Sequence, residues 1–179
     1  MTKRGEAIMS LHTRNSFKGP LVVEEGRVRI EVDGAVPATS CIDVWKDATV
    51  DIRTNVVTVS SFAGQGRIMT SVGGDAGGSV TLSDNGTIYV KVAQLFAEDS
   101  VPLQVERPLT VGSGVQVVVT DPENLPESGR KIAAFLRTTK GMTLAEMPTI
   151  ATPNCRVKRN GSDLELVYSK NVGLVIKVD

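Results

Sequence analysis

The chain is short of the residue types that most often carry chemistry. Its 179 residues include one histidine, His12, and two cysteines, Cys41 and Cys155. One imidazole and two distant thiols offer no zinc set at the usual spacing and are too few for a disulfide framework, so both cysteines are read as buried free thiols. Aromatic residues make up 4% of the chain, which leaves few rings for a base-stacking surface. Net charge is missing as well. Twenty Lys and Arg balance twenty Asp and Glu, so nothing draws the whole molecule toward nucleic acid or an acidic membrane. No apolar run reaches the roughly 18 residues of a membrane span. The opening MTKRGEAIMSLHTRNSF lacks the apolar centre of a signal peptide, so export by that route is not expected.

What is present is the balance of an ordinary globular domain, 41% hydrophobic and 22% charged. The hydrophobic period is mostly two. Arg27 to Val32 alternates strictly, with Val28, Ile30 and Val32 on one face and Arg27, Arg29 and Glu31 on the other. Cys41–Trp45, Thr49–Ile52 and Val56–Val59 read the same way, and Val172–Val178 closes the chain as a last strand. Asn-Gly dipeptides at Asn85-Gly86 and Asn160-Gly161 predict two hairpins, the first joining Val80–Leu82 to Ile88–Val92 and the second joining Cys155–Arg159 to Leu164–Tyr168. Ile132, Phe135 and Leu136 recur at helical spacing after Pro126, so one short helix is expected near residues 127–138. Met142–Met147 is at most a further turn, and no internal repeat is read. The expected fold is all-β, an antiparallel sandwich of the jelly-roll kind or a closed barrel.

The stretch SVGGDAGGSV, residues 71–80, resembles the GDSGG signature around the nucleophile of chymotrypsin-like serine proteases. Ala76 stands where the serine belongs, and His12 lies too early in the chain to complete a triad. The stretch also fails as a phosphate loop, because Gly78 leads into Ser79-Val80-Thr81-Leu82, a strand and not a Lys-Ser or Lys-Thr helix start. It remains a flexible loop in which Gly73, Gly74, Asp75, Gly77 and Gly78 are candidate contacts. Asp43, Asp47, Asp51, Asp75 and Asp84 lack calcium-loop spacing and are read as solvated strand edges. Glu24 and Glu25 are adjacent, so on a strand they point apart. No catalytic residue, metal site or cofactor is expected.

Residues 1–18 read as an irregular, mildly basic arm ahead of one β-rich domain, residues 19–179. Lys3, Arg4, Arg14 and Lys18 oppose the single acid Glu6, so assembly contacts or nucleic-acid contacts are assigned to these four if to any. The favoured function is a non-enzymatic structural protein that self-assembles, a virus or phage particle subunit such as a shell, decoration or tail component. Such a homo-oligomer would be assembled in the host cytoplasm and reside in the virion. The alternative is a β-sandwich binding module whose glycine-rich loops contact a carbohydrate or a protein.

Overall fold

The computed structural model describes residues 1–73 and 77–170. In chain order the strands are β1 (Thr2–Lys3), β2 (Ile8–Leu11), β3 (Leu21–Val23), β4 (Arg27–Ile30), β5 (Cys41–Val44), β6 (Thr49–Asp51), β7 (Val56–Gly64), β8 (Arg67–Met69) and β9 (Ser79–Val90). After a single turn of helix, α1 (Val92–Leu95), come β10 (Leu103–Val105), β11 (Leu109–Val111), β12 (Gln116–Val119), β13 (Gly129–Thr138), β14 (Met142–Leu144), β15 (Thr149–Ile150), β16 (Cys155–Asn160) and β17 (Asp163–Lys170).

The registers define the architecture. Thr2 lies beside Val22, Leu21 beside Ile42 and Cys41 beside Ser61, all parallel. Ile8 lies beside Arg27, Arg27 beside Thr49 and Thr49 beside Arg67, again parallel, in the other sheet. The chain thus alternates between two sheets and returns to each after roughly 20 residues, one rung of a parallel solenoid. Later rungs are longer, since Arg67 pairs with Gln104 and Leu103 with Leu136, and the residues added in the first of these spans include α1. β7 and β9 bend within the first sheet. Val56–Val59 and Ser79–Leu82 pair before the bend, and Ser61–Phe62 pair with Thr87–Ile88 beyond it.

Each strand turns one face inward, and like positions stack from rung to rung. Leu21, Ile42, Phe62, Ile88 and Val117 form one buried column, and Val28, Val50, Ile68 and Val105 form another. This stacking explains the preference for Val, Ile and Leu, whose shapes pack both against the core and against the same position one rung away. At the first rung the Lys3 side chain is buried, and its ammonium donates to the carbonyls of Arg4, Gly5 and Glu25.

Several expectations are overturned. Among the described residues there is neither an antiparallel sandwich nor jelly roll, and no closed barrel, because the first sheet is built from parallel neighbours and the second is parallel from β2 to β13, with only β13, β17 and β16 antiparallel. The expected helix at residues 127–138 is β13. A bulge between Ala134 and Leu136 brings Phe135 and Leu136 both into the core, which imitates helical spacing in a strand. The first hairpin is absent: Ser79–Val90 is one strand, and Asn85, at φ 56, turns a solenoid corner instead of a chain reversal. The second hairpin is present, with β16 and β17 antiparallel and Asn160 opposite Asp163. Residues 1–18 contain β1 and β2 and form the first rung, where an irregular arm was expected. The geometric repeat of the rungs replaces the reading of no repeat. The strand expected at Val172–Val178 lies outside the described residues.

Candidate functional site, a groove on the outer face of the first sheet

The outward positions of the first sheet line up as the inward ones do. Val22 pairs with Asp43, Asp43 with Ala63 and Tyr89 with Val118, and Ala63 sits one residue past the Phe62–Ile88 pair that leads to Tyr89. Just past the ends of β5, β7, β9 and β12 lie Trp45, Gln65, Lys91 and Thr120, which line the same side. Together with Asp43, Ala63 and Tyr89 they floor a groove of about 690 Å³ that also takes in Cys41, Lys46 and Phe135. Trp45 is 50% exposed and Tyr89 40%, two of the few aromatic rings in the chain and both left open on one face.

The wall of the groove is the segment from Lys91 to Val101, held down at three points. Asp121 is buried and accepts the backbone N–H groups of Val92 at 2.5 Å and Ala93 at 2.9 Å, capping α1 from a distant part of the chain. Lys46 pairs with Asp99, and the Gln65 amide donates to the Val101 carbonyl at 3.1 Å. Asp121→Ala should therefore free the wall while leaving the solenoid intact. The expected loss is about 1 kcal/mol of global stability, with faster hydrogen exchange at Val92 and Ala93; unchanged exchange there would contradict the capping role.

Electrostatically the floor is mixed. Burial pushes the Asp43 carboxyl above the usual carboxylate range; hydrogen bonding from Trp45 opposes this, the Glu24 charge adds to it and Lys91 opposes it. Glu24, hydrogen-bonded to and paired with Arg4 at 2.7 Å, is held below its ordinary value. Burial, with help from Asp43 and against hydrogen bonding from Ser61, pushes the Cys41 thiol up to about 11, so at neutral pH it is a thiol and not a nucleophilic thiolate. Burial also raises Cys155.

The residues singled out from sequence fall elsewhere. Lys3 is buried against carbonyls and Arg4 is paired with Glu24, whereas Arg14 and Lys18 are exposed, so the four basic residues do not form one surface. In the glycine loop, Gly77 and Gly78 offer their carbonyls to the buried guanidinium of Arg107, at 2.7 Å for Gly77. Gly73 is exposed, and Gly74, Asp75 and Ala76 lie outside the described residues. The aspartates do not share one role. Asp51 is fully buried, not a solvated edge, Asp84 accepts from the Ser113 N–H at 2.8 Å, and Asp47 occupies a corner at φ 69. Among the described residues no group of three or more His, Cys, Asp or Glu could hold a metal ion, and no helix is long and apolar enough to cross a membrane.

The groove residues Asp43, Trp45, Gln65, Tyr89 and Lys91 were not recognised from sequence as a set. Their only signal is that Asp43 and Tyr89 hold outward positions in period-two strands, with Trp45, Gln65 and Lys91 just past the strand ends, and only the register brings them together. Comparison with family models, with curated proteins and with solved structures finds no match for this chain.

Proposed function

We propose that this protein is a non-enzymatic binding module, a rigid solenoid that holds an extended, neutral polysaccharide against the outer face of its first sheet. The observation that carries this reading is the exposure of Trp45 and Tyr89 on one face among Asp43, Gln65, Lys91 and Thr120. A sugar ring has two C–H faces and a rim of hydroxyls. Aromatic rings cover the first, and mixed donors and acceptors satisfy the second. Asp43 and Lys91 bring one charge of each sign to the floor and Lys46 is taken up by Asp99, so the floor favours no ionic ligand. Trp45 and Tyr89 lie two strands apart, about 10 Å across the sheet, a span that suits consecutive units of a polymer better than one monosaccharide. The contact surface thus moves from the glycine loops to the sheet.

Isothermal titration with neutral oligosaccharides of β-linked glucose, xylose and N-acetylglucosamine tests the reading. Trp45→Ala is expected to weaken binding roughly 30-fold, the loss of ~2 kcal/mol typical of a central aromatic anchor. Equal affinities for the parent and the variant would remove the groove from the account. The pH dependence follows from Asp43. If its carboxylate accepts from sugar hydroxyls, affinity is full at neutral pH and falls as pH drops through its raised value. That decline begins at higher pH than an ordinary aspartate would give, and Asp43→Asn should flatten it.

A second reading keeps the self-assembling subunit, residing in a virus or phage particle. The observation favouring it is that, among the described residues, β1 and β2 are each paired on one side only, at the end of the solenoid where Ile8 is 51% exposed. Sedimentation across a wide concentration range tests it: a defined oligomer that Ile8→Lys dissociates supports edge-to-edge assembly, and a constant monomer excludes it.

A further inference from the structure

We propose a second binding surface on this protein, the outward face of the β13, β17 and β16 sheet, which takes the sulfate or phosphate ester groups of an acidic polysaccharide. Register places its residues on one side. Arg130 pairs with Ser169, Ile132 and Arg156 both pair with Val167, and Lys158 pairs with Glu165. Since Val167 and Ser169 are two residues apart on β17, Arg130 and Arg156 project from the flanking strands to the same face. They line one concavity of about 410 Å³ together with Asn154, Cys155, Val167 and Ser169.

Charge on this face is one-sided although the chain as a whole is neutral. Arg130, Arg156 and Lys158 are exposed, and the acid among them, Glu165, accepts the Asn160 amide at 2.7 Å. Among the described residues none of the three cations has an ion pair, whereas Arg137 on the same sheet is joined to Asp163 at 2.7 Å. The apolar surface beside them is Ile132, 45% exposed, whereas its register partner Val167 is buried. Arginine stems lie along such a surface and leave their planar forks free, and a guanidinium fork matches a tetrahedral oxyanion with two parallel hydrogen bonds. The exposed Ser169 and Asn154 add neutral hydrogen-bonding groups to the concavity. Among the described residues the face carries no open aromatic ring, and Tyr168 on β17 is buried with its hydroxyl donating to the Pro126 carbonyl at 2.6 Å. Unpaired bases would find nothing to stack on, and Ser169 and Asn154 can meet sugar hydroxyls, so the oxyanions are assigned to a sugar chain; a DNA duplex, bound through phosphates without any ring, is the competing outcome of the test.

The test is thermophoretic titration of the full chain with a heparin-derived hexasaccharide, its fully desulfated counterpart and a short DNA duplex. The probes are run against the parent, Arg130→Gln/Arg156→Gln, and Arg14→Gln/Lys18→Gln, which removes the same charge elsewhere. Thermal melting by circular dichroism confirms that all three proteins are folded. The expected result is binding of the sulfated probe that the first pair of substitutions weakens roughly tenfold or more and the second barely changes, with weaker binding of the DNA duplex. Trp45→Ala should leave this binding intact, which separates it from the groove. Equal losses from the two pairs would mean only general charge attraction. Equal affinity for the desulfated probe, or tighter binding of the duplex, would likewise overturn the assignment.

Discussion

Gly64→Val is expected to destabilise the fold by on the order of 4 kcal/mol, a large share of the ~5–15 kcal/mol that holds a domain together. Two effects combine at this position. Its φ of +97° suits glycine and is strained for a β-branched residue, which costs about 1–3 kcal/mol. A Cβ there would also lie 2.0 Å from the Val44 carbonyl oxygen and 2.6 Å from its carbon, and both atoms are backbone. No rotamer change relieves that contact. β5 and β7 would have to separate at the rung that also floors the groove, so binding would fail along with stability. Urea unfolding followed by circular dichroism measures the loss, and a variant within about 1 kcal/mol of the parent would show that the two strands are not stacked as described.

Asp51→Ala should cost about 3 kcal/mol, because it strips a buried carboxylate of several partners at once. Asp51 accepts the Ser71 hydroxyl at 2.5 Å, the Ser71 N–H at 3.0 Å, the Arg53 N–H at 3.1 Å and the Arg29 guanidinium at 3.4 Å. Burial pushes its carboxyl upward, and the Ser71, Arg53 and Arg29 contacts together outweigh burial and hold it below the ordinary value. A depressed folded-state value gives stability that is fully present above the unfolded carboxylate value of ~3.9 and is lost as pH falls through the lower folded value. The gap in stability between the parent and Asp51→Ala should therefore be widest near neutral pH and shrink in acid. A gap that stays constant down to the acid limit would contradict this assignment.

Inside and outside were legible in the sequence, but partners were not. Val28 and Ile30 are buried, as the alternation around Arg27 and Arg29 predicts, because a solenoid strand has one wet face just as a sandwich strand does. Alternation identifies that face and says nothing about whether the neighbouring strand runs parallel or is a whole rung away. Asn85-Gly86 and Asn160-Gly161 are the same dipeptide, yet one turns a corner within β9 and the other closes a hairpin. A left-handed residue permits either outcome, and long-range pairing decides. A rung signal was present: Leu21-Val22-Val23 through Val28-Arg29-Ile30 recurs as Ile42-Asp43-Val44 through Val50-Asp51-Ile52, with Gly26 and Asp47 at matching corners of positive φ. It is weak because stacking asks only for similar shapes, not for the same residues. The groove was less legible still, since Trp45 and Tyr89 are far apart in sequence and are brought to one face only by β7 between β5 and β9.

Trp45 is the sole tryptophan of the chain, so its emission reports on the groove alone. The most direct measurement is that emission during titration with a neutral β-linked hexasaccharide, combined with acrylamide quenching at each point. The account predicts a saturable blue shift and a fall in quenching as a ring now 50% exposed becomes covered, both lost in Tyr89→Ala at the same sugar concentrations. Emission and quenching that stay constant across the neutral sugars would contradict the claim that this face of the solenoid binds polysaccharide.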